Sequence, residues 1–278
     1  MIGQKRLLNF INSFNFSTFP NASIFLGETG CGKHTLVKYI SDKFDVDAVD
    51  ISENINLDTI NEIYVSQQPQ FYICNLFYVT NIIRSQNILL KLLEEPPENS
   101  KIIIINDNIE ELLDTIKNRC MVFDFEPYSI SELRQFAEQN NINILNDDIL
   151  NILNTPGKLL HYDEVAEYYS DLNTLVNKIL NYIGRASVPN SLSIVDKFDF
   201  SDKESYKFLT FIGLLKKQLL TRIMDNKISR QEVRLYIRAY TITQEFLSAY
   251  KIKNINKKQQ FEHYILTLKE LFNGYTGI

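Results

Sequence analysis

The sequence predicts a parallel α/β sheet with helices on its faces, followed by an all-helical region. In the first 127 residues, short β-branched runs alternate with amphipathic helical patterns, as they do in βαβ units. The run Ile102–Ile105 is wholly apolar, which is typical of a parallel strand buried on both faces. After Pro127 the strand patterns end and long amphipathic segments follow, which predicts the helical region.

The elements of the sheet region follow from the same patterns, beginning with a helix within residues 1–20. Strands are predicted at Ser23–Leu26, Val46–Ile51, Gln70–Asn75, Ile102–Ile105 and Met121–Phe125. Helices are predicted through Phe44, at Leu57–Gln67, up to Glu95 and up to about Asn118. Pro96 and Pro97 end the third of these helices, because a proline disfavours helical geometry at the residue before it.

Capping boxes mark the helical region. A Ser three residues before a Glu occurs at Ser129–Glu132, Ser201–Glu204 and Ser229–Glu232, and each box opens an amphipathic segment. The segment Tyr206–Ile223 is apolar around most of its circumference, as in a helix bundle or an oligomer contact. Gly274 is predicted to cap the last helix.

Composition excludes several classes of protein. The 278 residues allow two or three domains, and 45% hydrophobic residues indicate a globular core. Residues 1–127 carry 10 basic and 17 acidic side chains, a net charge of −7, and the remainder carries 19 and 17, a net of +2. Tight autonomous DNA binding is therefore not indicated. No signal peptide or membrane span is predicted, and three scattered cysteines suggest neither disulfides nor zinc, which indicates the cytosol.

A phosphate-binding motif lies between the first strand and the helix after it. The segment Gly27–Lys33 matches G-x-x-x-x-G-K, in which backbone amides bind phosphates and the lysine reaches the outer phosphate oxygens. The candidate nucleotide-binding residues here are Gly27, Gly30, Gly32, Lys33 and Thr35. His34 stands where a hydroxyl normally holds magnesium, and Thr35 is one step late. The alternative is a glycine turn with a surface lysine.

The stretch from Asn87 to Cys120 breaks a local rule. Glu94 and Glu95 lie at the C-terminus of their helix, where the macrodipole disfavours negative charge. Such violations concentrate at functional sites, although a solvated acidic helix end remains the alternative.

This stretch resembles one family of proteins. The run Asn87-Ile-Leu-Leu-Lys-Leu-Leu-Glu-Glu-Pro-Pro97 is similar to the asparagine-initiated ALLKTLEEPP segment of bacterial DNA polymerase III clamp-loader subunits. Asn118-Arg119-Cys120 resembles the Ser-Arg-Cys motif of the same family, and the spacing between the motifs also fits. The resemblance implies an AAA+ P-loop α/β domain at residues 1–127, a small helical lid domain at 128–168 and an all-α helical collar at 169–278.

The chain departs from the family pattern where ATP hydrolysis needs acids. Counted back from Asn87, the two acids of an active member would fall at Leu76 and Phe77, and Asn75 is the only polar side chain nearby. Leucine also stands where the family places a second-sensor arginine, in the segment Pro156–Leu160. The zinc module of the family is missing, so no zinc or other metal site is expected. We therefore expect no self-catalysed hydrolysis.

Two further residues take their expected roles from the resemblance. Arg119 would act as an arginine finger on the ATP site of a neighbouring subunit, and Asn106 would be the polar sensor near the γ-phosphate. On the residues alone, Arg119 could instead pair with a nearby acid such as Asp114, and Asn106 could stabilise a strand-end turn.

This combination most resembles the delta-prime members of the family, which implies a cytoplasmic subunit that does not hydrolyse ATP. The resemblance implies tau/gamma and delta subunits as partners, and the sliding clamp and primed DNA through the complex. No cofactor is required, and binding of ATP or ADP stays open. The first alternative is a catalytically active tau/gamma-like ATPase, and a small-molecule P-loop kinase is the second.

Overall fold

The computed structural model describes residues 3–76, 79, 81–200, 206–250 and 256–276. Two compact units divide the chain. The first unit comprises residues 1–145 and 153–160, and the second comprises 146–152 and 161–278.

A five-stranded parallel sheet forms the centre of the first unit. Its strands are β1 (Ala22–Leu26), β2 (Asp47–Asp50), β3 (Gln70–Asn75), β4 (Ser100–Asn106) and β5 (Met121–Asp124). They lie in the order β2-β3-β4-β1-β5, and every pairing is parallel. All seven residues of β4 are buried, as its isoleucine run predicts. The predicted parallel α/β fold is confirmed.

The helices predicted in the sheet region are present, although α3 ends two residues early and the helix before Asn118 is much shorter than predicted. In chain order they are α1 (Lys5–Asn12), α2 (Lys33–Phe44), α3 (Leu57–Val65), α4 (Ile82–Glu94), α5 (Asp114–Lys117), α6 (Ile130–Gln139), α7 (Asp147–Ile152), α8 (Pro156–Leu159), α9 (Tyr162–Tyr182), α10 (Val188–Leu192), α11 (Tyr206–Ile223), α12 (Arg230–Tyr250) and α13 (Lys257–Thr276). Before Asn118 the chain forms only a 3-10 turn at Ile109–Glu111 and the four-residue α5.

Alternate residues of the strands build a separate apolar core on each face of the sheet. Ile102 and Ile104 pack on one face with residues of α3, α4 and α5. Ile103 and Ile105 pack on the other face with residues of α1 and α2 and with a group of phenylalanines. Because successive strand side chains point to opposite faces, one isoleucine run serves both cores.

The second unit is helical, and α9, α11, α12 and α13 share its core. The predicted helix Tyr206–Ile223 is α11, and its buried residues include Phe208, Phe211 and Leu215. Within this core the rings of Phe208, Phe246 and Phe261 contact one another. None of the helices in the described ranges is both long enough and apolar enough to cross a membrane.

The capping predictions have mixed outcomes. The box at Ser129–Glu132 is formed, and at Ser229–Glu232 both reciprocal hydrogen bonds are present. The box at Ser201–Glu204 lies outside the described residues. The prediction that Gly274 caps the last helix is wrong, because α13 continues to Thr276. A glycine cap needs a left-handed backbone, and Gly274 does not have a positive φ.

A buried amide ties α4 to the segment that leads into α5. The Gln86 side-chain nitrogen donates to the carbonyl of Glu111 at 2.9 Å, and the backbone N–H of Leu113 donates to the Gln86 Oε1 at 2.7 Å. Gln86 is fully buried. One side chain therefore bonds both backbone groups and sets where α5 begins.

We expect Gln86→Leu to lower the free energy of unfolding by about 1–3 kcal/mol, because it removes the partner of a buried backbone N–H. Urea unfolding followed by circular dichroism measures this change. Gln135→Leu, at an exposed position of α6, is the matched control. Equal effects of the two substitutions would contradict the structural role of Gln86.

Candidate functional site

The predicted P-loop runs from the end of β1 into the first turn of α2. Gly30 and Gly32 have φ angles of 81° and 99°, in the left-handed region that glycine adopts without steric cost. Gly32 is the residue before the first helical position, so the loop leads directly into the N-terminus of α2. This is the strand–loop–helix geometry of a phosphate-binding loop.

Lys33 is buried within this loop. Its ammonium group donates to the carbonyl of Gly27 and, at 3.2 Å, to that of Glu28. Burial lowers the pKa of Lys33, while Cys31 and Asp107 act in the opposite direction. The P-loop lysine is thus satisfied by carbonyl groups of its own loop.

His34, at the position of the metal-binding hydroxyl, contacts Asn75, the residue just before the two predicted acid positions. The Asn75 amide donates to the Nε2 of His34 at 3.1 Å. The backbone N–H of Asn75 donates to the Ser52 hydroxyl at 2.7 Å. His34 is exposed on the first turn of α2, as is Thr35, and Asn75 is buried at the end of β3. An imidazole therefore stands where a hydroxyl would hold the metal, and it bonds the amide next to the positions where the family pattern predicts acids.

The residues after Asn75 contribute no carboxylate. Leu76 is fully buried, and Phe77 lies outside the described residues. No group of three or more His, Cys, Asp or Glu side chains in the described ranges could hold a metal ion.

Asn106 lies beside the start of the P-loop. It pairs with Leu26 in the register of β4 and β1, and its carbonyl accepts the N–H of Gly27 at 3.3 Å. Its side-chain nitrogen donates to the carbonyl of Asn108 at 2.8 Å. Its Oδ1 is buried and has no hydrogen-bond partner among the described residues. The structure therefore brings Asn106 and the P-loop together, and the Oδ1 of Asn106 can still accept a hydrogen bond.

Residues 154–158, which overlap the predicted second-sensor segment, bind Glu28, the second residue of the P-loop. The carboxylate of Glu28 accepts from Lys158 Nζ at 2.6 Å and from Asn154 Nδ2 at 2.6 Å. Glu28 is far from Asn154 and Lys158 in the sequence, and all three are ordinary polar residues, so no local signal predicts their contacts. We call residues 154–158 the clasp.

Two further contacts join the clasp to the loop. The Thr155 hydroxyl donates to the carbonyl of Thr29 and the Gly157 N–H donates to that of Gly30, both at 2.9 Å. A Cβ atom on Gly157 would lie 2.6 Å from the Cα of Gly30. Of the two leucines in the predicted second-sensor segment, Leu159 is buried and Leu160 is exposed.

Arg119 lies at the amino ends of the parallel strands, which we call the amino edge, whereas the P-loop lies at their carboxyl ends, the carboxyl edge. It precedes β5, whose first residue pairs with Ser23 near the start of β1, whereas the P-loop follows the end of β1. The intervening strand length of five residues corresponds to about 16 Å. The structure therefore does not bring Arg119 to the P-loop of its own chain.

Glu94 is the acid that pairs with Arg119. The Nη2 of Arg119 donates to Oε1 of Glu94 at 2.8 Å, and its Nη1 donates to the carbonyl of Thr115 at 2.9 Å. Asp114, the alternative partner, instead forms an ion pair with Lys117 at 2.6 Å. A sequence signal for the pair existed, since Glu94 is one of two acids at an unfavourable helix end.

The region around Arg119 matches a known family of proteins. A family model described as "DNA polymerase III, delta subunit" matches residues 79–129, which contain both Glu94 and Arg119. The DNA polymerase III subunit delta′ of Buchnera aphidicola subsp. Schizaphis graminum is 29% identical over 116 residues, covering 40% of this chain and 34% of that protein.

Relatives with another subunit name match more of the chain. The subunit gamma of Buchnera aphidicola subsp. Acyrthosiphon pisum is 24% identical over 263 residues, 82% of this chain and 71% of that protein. The subunit gamma of the Baizongia pistaciae subspecies is 26% identical over 166 residues, and the match spans about half of it, 45%. A solved gamma subunit-related protein of Thermotoga maritima is 16% identical with a TM-score of 0.45, covering 96% of this chain and 99% of that one.

We expect Gly157→Ala to destabilise the first unit by about 1–3 kcal/mol, because the added methyl group overlaps the backbone of Gly30. Gly274→Ala is the matched control, since a Cβ there meets nothing within 4 Å. Thermal unfolding of both variants measures the difference. A Gly157→Ala protein as stable as the control would show that the clasp does not hold the loop.

Proposed function

We propose that the chain is a clamp-loader subunit of the gamma and delta′ family of DNA polymerase III, and that it is a delta-prime-like subunit that does not hydrolyse ATP. In this proposal the chain assembles with tau/gamma and delta subunits in the cytoplasm and takes part in loading the sliding clamp on primed DNA. It requires no cofactor, and Arg119 acts on the ATP site of a neighbouring subunit.

The contact between His34 and Asn75 is the observation that carries the first part of the proposal. A P-loop ATPase holds magnesium through the hydroxyl after the P-loop lysine and an acid at the end of a neighbouring strand. Here an imidazole, which suits a hard cation poorly, replaces the hydroxyl, and the two predicted acid positions carry Leu76 and Phe77. The amide of Asn75, just before these positions, bonds the imidazole. Without magnesium the charge that develops during phosphoryl transfer lacks its main counterion.

The position of Arg119 supports its proposed action on the ATP site of a neighbouring subunit. The residue lies at the amino edge of the sheet, away from the P-loop of its own chain, and 36% of its side chain is exposed. A guanidinium has five N–H donors in a planar fork that matches phosphate oxygens, and its contacts here use two of them. Three donors therefore remain for a phosphate that another subunit presents.

The domain division of the proposal is the α/β domain at 1–127, the lid at 128–168 and the collar at 169–278. Within the proposed lid, residues 128–145 and 153–160 belong to the first compact unit, and the rest belongs to the second. The shared apolar core of α9 and α11–α13 supports the helical collar.

A catalytically active gamma-like ATPase is the second candidate, and one acid favours it. Asp107 follows Asn106 at the carboxyl edge of the sheet. Burial lowers the pKa of Lys33, and Asp107 lies near enough to that lysine to oppose the shift. A carboxylate there could replace one of the missing acids. The gamma relative that spans most of the chain is consistent with this candidate.

We expect the purified chain to hydrolyse ATP no faster than the background rate at saturating Mg-ATP. The physical reason is the loss of both magnesium anchors. Steady-state phosphate release by the wild-type chain, by Lys33→Ala and by Asp107→Asn separates the two candidates. Turnover that disappears in both variants would establish the active ATPase instead.

We expect Arg119→Ala to lower the ATPase rate of the reconstituted assembly in part, because it removes the finger from one of several sites. Folding should change little, since the ion pair it breaks is largely exposed. Arg119→Lys should restore little of the rate, because an ammonium lacks the planar fork. An unchanged rate at equal assembly would show that Arg119 is not a finger.

A further inference from the structure

Glu94 occupies a position that its own helix disfavours. It is the last residue of α4, where the carbonyl groups of the final turn carry partial negative charge. Its side chain is 51% exposed, so burial of apolar atoms does not explain its placement. The contact that offsets the unfavourable dipole is the ion pair with Arg119.

The geometry of this pair orients the guanidinium. Glu94 and the carbonyl of Thr115 each accept from a different terminal nitrogen of Arg119, at 2.8 and 2.9 Å. Two acceptors on two elements fix both the position and the plane of the group. The pair adds little to stability, because both side chains are more than a third exposed.

The same helix also fixes the segment that carries Arg119. Gln86, eight residues before Glu94 on α4, bonds the backbone at Glu111 and Leu113, just before α5. The carbonyl of Thr115 belongs to α5, and Arg119 follows two residues after that helix. Helix α4 therefore holds the backbone of this segment through Gln86 and the guanidinium at its end through Glu94.

We propose that Glu94 is a positioning residue for Arg119, which holds the guanidinium with its remaining N–H groups available to a phosphate of a neighbouring subunit. This inference rests on the proposed action of Arg119 in trans. Glu94 itself does not touch the nucleotide. Its carboxylate acts only through the arginine, and this distinguishes it from a residue that stabilises the fold.

The test is a double-mutant cycle in the reconstituted assembly of the full chain with its partner subunits. The variants are Glu94→Ala, Glu94→Gln, Arg119→Ala and the double variant Glu94→Ala/Arg119→Ala. Glu95→Ala is the matched control, because Glu95 is the neighbouring exposed acid at the same helix end. The kcat and KM for ATP are measured at equal assembly.

We expect Glu94→Ala to lower the kcat contribution that depends on Arg119 by about 10-fold, since misplacement of a reacting group by ~1 Å can cost up to 10²-fold. The KM for ATP should stay unchanged, and Glu95→Ala should match wild type. Glu94→Gln keeps an acceptor oxygen and should retain more activity than Glu94→Ala. In the Arg119→Ala background, Glu94→Ala should have no further effect.

The outcomes separate this inference from the proposed function. If Arg119→Ala alone has no effect, both the finger role of Arg119 and the positioning role of Glu94 are overturned. If Arg119→Ala lowers kcat while Glu94→Ala behaves as wild type, only the positioning role is overturned. A further loss in the double variant would overturn it as well, because Glu94 would then act by another route.

A second measurement uses the full chain alone. In ¹⁵N-arginine-labelled protein, restricted rotation separates the Nη resonances of a paired guanidinium. We expect separate Nη signals for Arg119 in the wild type and in Glu95→Ala, and their coalescence in Glu94→Ala. Coalesced signals in the wild type would overturn the inference, because the pair would not hold the group in solution.

Discussion

Strand β4 lies in the middle of the five-stranded sheet with every residue buried, and its parallel pairing with β1 determines where the candidate site residues lie. The register places Asn106 opposite Leu26, so the end of β4 meets the start of the P-loop. Because parallel strands present their carboxyl ends at one edge, Asn75 at the end of β3 also reaches this edge, beside His34. Glu94 and Arg119 lie at the amino edge, since Glu94 ends the helix before β4 and Arg119 precedes β5.

At the carboxyl edge, contacts within the chain satisfy groups that a nucleotide and a metal would otherwise engage. Lys33 donates to loop carbonyls, His34 bonds Asn75, and Glu28 accepts from Lys158. Buried polar groups need partners, and a loop built for phosphate is rich in N–H groups and positive charge. Such contacts can keep the shape of the P-loop without a nucleotide, so the retained motif is compatible with the proposed lack of ATP hydrolysis.

The sequence predicts the parts of this structure that depend on local signals. The strand Gln70–Asn75, the helix Tyr206–Ile223 and the capping box at Ser129 follow from periodicity and from short-range side-chain bonds. The two failures differ in kind. Gly274 has no positive φ and stays helical within α13. The helix before Asn118 is short, and a distant residue, Gln86, bonds the backbone N–H of Leu113 just before it begins.

In the candidate site too, the sequence predicts contacts between neighbouring residues but not contacts between distant ones. The P-loop residues are adjacent in sequence, so their motif predicts the loop directly, whereas the bond between Glu28 and Lys158 joins residues with no shared pattern. Glu94 lies between these cases. Its conflict with the helix dipole is visible in the sequence, but the partner that resolves the conflict is not, because Arg119 follows a different element. At Glu94 the sequence therefore shows the electrostatic conflict, and only the fold identifies the cation that offsets it.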